Sequence, residues 1–348
     1  MRRLLQGNEA IFLGAIKSGA SFFAGYPISP SSEILVLAAE QASKDPEFKF
    51  LQSEDELAAA NAIMGASLAG AKSFTATSGP GFSLMQEAIG YGHEVEIPTV
   101  LVNVQRVGPA TGMPTMPAQQ DIMQTKYGSA GDYYPVVFYP NSVKECYRHT
   151  ITAFNAAEES RSPVILLSDG FVGHLNEAVD LNAIEVEVVP REFPPLGTGI
   201  RFFTGLAHDE DGNPRTDDPV AYNKWIAKVK SRHEAVAAKY PLYEFKENPG
   251  SDALLIALGI VSRVVAPLSS RFSLFRPIRI FPVLAQELQK AADKYERIVV
   301  IEANDGQYAS LVEQAIKRDV LRVPLLGGRI NLDLAKRGLT EKLGTEIT

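Results

Sequence analysis

The feature that most constrains this chain is a pair of nearly unbroken apolar stretches, SFTAT at 73–77 and PTVLVNVQ at 98–105, each running directly into a loop rich in Gly and Pro. Strands apolar on both faces belong in a parallel sheet covered by helices on both sides. In such a sheet the loops leaving the carboxyl ends of the strands line the ligand crevice. The stretch from Ser73 to Gln120 is therefore where ligand chemistry is expected, with the rest of the chain as its support.

The surrounding pattern agrees. Ala10, Ile11, Leu13, Gly14 and Ile16 recur at helical spacing, with Asn8 as the expected N-cap and Gly19 as the stop. SFFAGYP (21–27) reads as a short buried strand. Ser29-Pro30 then reads as a helix start, Ser as cap and Pro in the first turn. FKFLQ (48–52) is a second strand, and Ser53 with Glu56 forms a capping-box pattern at the head of the next helix. After the two stretches of the opening come the strand PVVFYP, a helix over 142–159 and the strand SPVILLSDG. This alternation predicts a doubly wound parallel α/β sheet. Composition changes after His174: residues 180–219 hold nine prolines and glycines and the polar string HDEDGNPRTDDP, a long connection. Asp218-Pro219 then opens an amphipathic helix ending near Tyr240. A second, smaller α/β unit follows, with strands ALLIALG, PIRIFPV and RIVVIEA, a helix through Lys294 and one from Tyr308 to Arg318. The expected organisation is a first domain over 1–190, a linker with a helix over 191–250, and a second domain over 251–348.

At 348 residues the chain is too long for one ordinary core. A net charge of −7 without clustered Lys and Arg argues against nucleic-acid binding. The single cysteine, Cys146, excludes an internal disulfide and cannot furnish an iron–sulfur cluster, so any such centre is expected on another chain. The two N-terminal arginines and the apolar residues after them resemble an export signal, but Glu9 and Lys17 interrupt the run and no cleavage site follows. No apolar run reaches the roughly 18 residues of a membrane span, and a cytoplasmic location is expected.

Each candidate motif also has a plain structural reading. TSGPGFS (77–83) is either a tight turn or a ligand loop whose helix-start amides hold an anion. It is neither a P-loop nor the dinucleotide fingerprint, since Leu84 stands where the third glycine is required. Glu54, in QSEDE, follows a strand and opens a helix, where an acid ordinarily complements the helix dipole, as Asp55 and Glu56 also do. Arg106 ends a buried strand and either grips a carboxylate in bidentate fashion or pairs with a neighbouring acid. Ser29 is a helix cap first and a substrate hydroxyl second. The five histidines lack metal-ligand spacing, DEDGN (209–213) lacks the alternation of a calcium loop, and Cys146 suits packing better than nucleophilic chemistry.

At GYPISPSSE, QSEDELAAANAIMGASLAGA, TSGPGFSLMQEAIGY and VNVQRVGPATGMPTMPAQQD the sequence resembles the alpha subunit of 2-oxoacid:ferredoxin oxidoreductases, most similar to the 2-oxoglutarate type. The resemblance implies a thiamine diphosphate pyrimidine-binding domain followed by a transketolase C-terminal-like domain, in which IEANDGQYASLVEQ matches a family segment. It makes Glu54 the catalytic acid that hydrogen-bonds the aminopyrimidine nitrogen and favours its imino tautomer, with Pro27, Thr77, Ser78 and Gly79 as further cofactor contacts. Arg106 becomes the partner of the substrate carboxylate. Ser29 stands where the family has threonine, and Thr111 and Gly112, in GPATGMPT, join the substrate pocket.

Within this family the diphosphate and its magnesium need a Gly-Asp-Gly motif with a later Asn. Gly131-Asp132-Tyr133 and Ser168-Asp169-Gly170 are the nearest approaches, and neither fits. The chain is thus expected to hold no metal and to form half of an active site. A beta subunit would carry the diphosphate end, magnesium and a [4Fe-4S] cluster, with gamma and delta subunits as further candidates. The implied reaction is oxidative decarboxylation of 2-oxoglutarate with coenzyme A to succinyl-CoA and CO2, reducing ferredoxin. The rivals are a branched-chain or aryl 2-oxoacid substrate, a non-catalytic assembly subunit, and a self-sufficient thiamine decarboxylase.

Overall fold

The computed structural model describes residues 2–199 and 202–347. Its larger sheet runs, in spatial order, Arg279–Phe281, Val136–Phe138, Pro163–Asp169, Thr99–Val107, Ser73–Thr77, Phe22–Gly25 and Lys49–Gln52. All neighbours are parallel except the first pair. An eighth strand, Met113–Pro117, folds back antiparallel on the end of Thr99–Val107.

The central strand Thr99–Val107 is buried along its whole length, as its sequence requires. Successive side chains of a strand point to opposite faces. Val100, Val102 and Val104 accordingly pack with Ile11, Ile34 and Phe154 of the helices Gly7–Lys17, Ser32–Lys44 and Val143–Ser160. Leu101 faces the other way, toward Ala59, Ile63 and Ile89 of Glu56–Leu68 and Gln86–Glu94. These layers leave the carboxyl ends of Phe22–Gly25, Ser73–Thr77 and Thr99–Val107 side by side at one rim.

The second sheet has the order Tyr243–Lys246, Ser273–Pro277, Ala253–Ala257, Arg297–Glu302 and Leu321–Pro324, parallel apart from the Tyr243–Lys246 edge. It differs from expectation in three ways. PIRIFPV does not join the small sheet: its Arg279–Phe281 pairs with Val136–Phe138 of the large one, and the small sheet takes the preceding Ser273–Pro277 instead. Tyr243–Lys246, in the stretch expected as linker, pairs with Ser273–Pro277 as the edge of this sheet. The helix Leu332–Leu343 was not anticipated.

The stretch read as a linker is docked rather than free. Near its start, Lys72 donates to the Val189 carbonyl at 2.5 Å, and Arg191 lies 3.4 Å from Glu158. The helix Pro219–Lys239 starts where expected, with Asp218 accepting from the Val220 and Ala221 amides. It is held on the first unit by buried His233 and Val236 and by Arg232 bonding Glu96 at 2.7 Å. Ile200 and Arg201, inside the expected connection, lie outside the described residues.

Two helix starts also differ. Asn8 sits inside its helix, buried, and donates to the Pro30 carbonyl at 2.8 Å and to Glu33 at 2.9 Å. Ser29 caps nothing: the helix begins at Ser32, after a turn in which Ser31 bonds the Ile28 carbonyl.

Candidate functional site

Parallel pairing sets Thr77 directly beside Asn103 at the rim, and Gly25 beside Gln52. Four segments leave this rim, and their side chains converge.

Ser53 follows Lys49–Gln52, and its amide is held by the Gly25 carbonyl at 2.9 Å. The capping box expected of Ser53 and Glu56 does not form. Asp55 caps the helix instead, accepting from the Ala58 amide at 2.7 Å. With Asp55 at the cap, Glu56 is the first helical residue and turns inward, at 5 % exposure, while Glu54 stays exposed. The buried acid of this segment is therefore Glu56, two residues beyond Glu54.

Across from it, Thr77 and Ser78 are fully buried. A Cβ placed on Gly81 would lie 2.2 Å from Thr77 Oγ1 and 2.4 Å from Glu56 Oε1, so both oxygens close on the space that this glycine leaves. The anion cradle considered for TSGPGFS does not form: the helix Gly79–Leu84 is six residues long, and the Gly81 and Phe82 amides bond back to the Ser78 carbonyl.

Arg106 lies at 5 % exposure and donates through Nη1 to the Ser29 carbonyl at 2.7 Å, tying the central strand to the loop that carries Pro27 and Ser29, both exposed. Its Nε has no partner. Next to it Asp121 accepts from Asn103 at 2.9 Å, and its amide donates to Gln105 Oε1 at 3.0 Å. Burial raises the Glu56 and Asp121 carboxyls from their ordinary values, and Arg106 opposes both rises. Burial lowers Arg106, against the pull of Asp121 and Glu56.

Thr111 and Gly112 stand apart, exposed at the tip of the hairpin between Thr99–Val107 and Met113–Pro117. Gly112 has φ +53°, and a Cβ there would fall 1.9 Å from the Val107 carbonyl oxygen, so the turn demands glycine. The neighbouring 108–110 line the crevice instead. This cleft, of about 580 Å³, has three walls: Gly79, Pro80 and Ser83; the strap from Gly108 to Gln124; and Asn304, Asp305 and Gln307 of the second unit. From sequence, Glu56 reads only as a capping and helix-dipole residue, and neither Asp121 nor this third wall is singled out. The IEANDGQY segment was the available pointer to the wall.

Among the described residues, the buried Ser53 Oγ, Thr77 Oγ1, Ser78 Oγ, Asn103 Oδ1 and Arg106 Nε around this rim lack partners. Unpaired hydroxyls around a carboxyl of raised pKa suit the polar edge of a flat heterocycle. The acids of the two near-matches to the diphosphate motif have other settings. Asp169 is committed to the fold, accepting from the Phe171 and Val172 amides and from the Tyr139 hydroxyl at 2.7 Å, and Asp132 lies on an exposed loop.

The sequence model for the family described as pyruvate flavodoxin/ferredoxin oxidoreductase, thiamine diphosphate-binding, matches residues 13–239. The chain belongs to this oxidoreductase family. The match runs through the docked helix, past the boundary expected at 190. Within the family, 2-oxoglutarate synthase subunit KorA of Archaeoglobus fulgidus is 41 % identical over 94 % of this chain and 95 % of its own length. The ketoisovalerate oxidoreductase subunit VorB of Methanothermobacter marburgensis is 32 % identical over 94 % of both. The solved 2-oxoglutarate:ferredoxin oxidoreductase of Magnetococcus marinus, with 2-oxoglutarate, coenzyme A and succinyl-CoA bound, superposes at TM-score 0.90 with 28 % identity over 98 % of this chain. This chain spans 65 % of that one. A split-gene transketolase at 14 % identity and TM-score 0.60 shares the fold. The relatives are named as subunits, so this family member is part of a multi-subunit enzyme. No helix among the described residues is long and apolar enough to cross a membrane.

Proposed function

We propose that this chain is the alpha subunit of a cytoplasmic enzyme that oxidatively decarboxylates 2-oxoglutarate with coenzyme A to succinyl-CoA and CO2, reducing ferredoxin. The observation that carries the reading is Glu56, a buried carboxyl beside unpartnered Thr77 and Ser78 and near Arg106. Bound thiamine diphosphate supplies the electron sink for loss of CO2. The chain's own part is to hold and orient. Glu56 takes over the role expected of Glu54, accepting a hydrogen bond from the ring nitrogen of the aminopyrimidine and holding that proton at its carboxylate. Thr77, Ser78 and Gly79 flank the ring. Arg106, fixed through Nη1 to the Ser29 carbonyl, keeps its Nε edge for the carboxylate of the 2-oxoacid. Pro27 and Ser29 lie on the exposed loop that Arg106 holds, Thr111 and Gly112 on the hairpin tip apart from it, and they meet substrate and cofactor once the partner closes over them.

That partner is a beta subunit bearing the diphosphate contacts, magnesium and a [4Fe-4S] cluster. Tyr26, Leu51, Leu57 and Leu84, each 41–48 % exposed, sit on the segments that leave the rim, and they offer it an apolar seat. Gamma and delta subunits are further candidates. The 2-oxoglutarate preference is supported by the relatives named 2-oxoglutarate synthase, at 37–41 % identity, against 32 % for the ketoisovalerate enzymes. Thiamine diphosphate titrations of the isolated chain and of the reconstituted complex test the shared site. Binding only in the complex is expected, and tight binding by the chain alone would establish a self-sufficient site instead.

A further inference from the structure

The third wall of the cleft is joined to the first unit by polar bonds that converge on two adjacent residues of the strap. Gln119 is fully buried, and four of its groups are used. Its amide donates to the Ala303 carbonyl at 3.0 Å, and Oε1 accepts from the Ala303 amide at 3.0 Å. Nε2 donates to the Leu258 carbonyl at 2.8 Å, and its own carbonyl accepts from Asn304 Nδ2 at 2.6 Å. One residue on, the Gln120 carbonyl accepts from Gln307 Nε2 at 2.5 Å, while Gln307 Oε1 accepts from the Met123 amide at 3.1 Å. Asn304 Oδ1 accepts from the Gln307 backbone amide at 2.8 Å, so the Asn304 side chain is anchored by the main chain at the start of the Gln307 helix. Gln120 Oε1 accepts from the Gly108 amide at 2.7 Å and closes 108–120 into a loop.

Apolar packing already joins the two units, through the Arg279–Phe281 strand and the shared cluster around Leu254, Phe275 and Tyr308. Such packing is non-directional. The bonds from Asn304 and Gln307 end on main-chain atoms of the strap, and hydrogen bonds lose strength steeply when their geometry shifts. They fix the height and register of a segment rather than glue two surfaces together. The segment they fix carries Gly108, Pro109 and Ala110 at one end of the cleft and Asp121 beside Arg106 at the other.

We infer that Asn304 and Gln307 are positioning residues for the substrate side of the crevice: by clasping Gln119 and Gln120 they set the strap over the cleft, and with it the length of 2-oxoacid that fits. The inference deepens the proposed function and rests on it for the identity of the substrate. Gln307→Glu is the test, made in the reconstituted complex. It keeps volume and the Met123 contact, removes the donor to Gln120, and puts a carboxylate at the start of the helix Gln307–Ile316, where the helix dipole tolerates it. Two measurements are made on it.

Hydrogen exchange at the Gly108 and Asp121 amides, which flank Gln120 in the strap, is expected to speed up by about tenfold, the loss of one oriented hydrogen bond, while the Met123 amide keeps its acceptor. The ratio of kcat/KM for 2-oxoglutarate to that for 2-oxobutyrate is expected to fall by about five- to tenfold through KM, with kcat for 2-oxobutyrate kept. Unchanged exchange overturns the inference, as does faster exchange with an unaltered ratio. Asn304→Ala, which removes a different bond of the same clasp, is expected to shift both readouts in the same direction, and opposite behaviour counts against it. If the wild-type complex does not turn over 2-oxoglutarate, the functional reading fails. The ratio is then taken between the two best 2-oxoacids of differing length, and exchange and ratio still decide the clasp.

Discussion

Replacing Glu56 and Glu54 one at a time by glutamine separates the two acids that a reading of QSEDE confuses. Glu56 is 5 % exposed and Glu54 is exposed, so only the first has lost the water that would compete for its hydrogen bond. A hydrogen bond to a charged group nets about 1.5–3 kcal/mol, roughly one to two decades in rate. Assistance to proton transfer adds a factor of about 10²–10⁴. Glu56→Gln in the reconstituted complex is therefore expected to lower kcat by at least about 10², with KM for the 2-oxoacid within about threefold. Glu54→Gln, a surface change worth less than about 0.5 kcal/mol, should leave kcat within about twofold. Stability provides the control. A carboxyl whose pKa is raised on folding contributes stability below its unfolded value and loses it as pH rises through the folded value. The neutral amide removes that loss, so the thermal midpoint of the Glu56→Gln complex at pH 7.5 should be equal or higher. The assay is coenzyme A-dependent reduction of a viologen dye. Normal turnover by Glu56→Gln together with inactivity of Glu54→Gln would refute the reasoning.

Arg106→Lys keeps the charge but loses the fork geometry and the bond to Ser29, and KM for the 2-oxoacid should rise by about 10- to 100-fold with a smaller change in kcat. Gly81→Ala places a Cβ 2.2 Å from Thr77 Oγ1 and 2.4 Å from Glu56 Oε1, and should cost about 1–3 kcal/mol by urea titration and displace Glu56, lowering activity. Burial holds both His149 and His233 near pKa 4, below the ordinary 6.5, so stability present above pH 6.5 is lost as pH falls toward 4. Each corresponds to roughly 3 kcal/mol over the whole fall from above pH 6.5 to below 4, and His233→Gln should flatten the change in unfolding free energy between pH 7 and 5, read by urea titration, by up to about 2 kcal/mol.

The large sheet was legible because its strands are apolar on both faces and its helices carry local stop and start signals. Ser142 and Asp218 both cap where their sequences say they should. What was not legible depended on choices between near-equal local options. In SEDE, Ser53 and Asp55 both qualify as caps, and taking Asp55 turns Glu56 inward and Glu54 out. In SPSS, Ser31 rather than Ser29 precedes the helix, and Asn8 is spent on a long-range bond to Pro30 that no local pattern announces. PIRIFPV reads as ordinary strand, yet Arg279 within it and Arg276 just before it are both buried. Arg276 is met by Glu145 at 2.6–2.8 Å and Arg279 by the Ala237 and Pro282 carbonyls, and between them the chain passes from one sheet to the other. Such partners lie more than 40 residues away, Pro282 apart, and are invisible to periodicity.

Purification of the native complex through this chain, followed by a panel of 2-oxoacids with coenzyme A and a viologen acceptor, tests the central claim most directly. The expected result is a second chain that carries the iron–sulfur cluster and the diphosphate contacts, with 2-oxoglutarate the preferred substrate of the complex and no turnover by the alpha chain alone. Isolation without such a partner, or a complex that oxidises branched-chain or aryl 2-oxoacids in preference to 2-oxoglutarate, would contradict it.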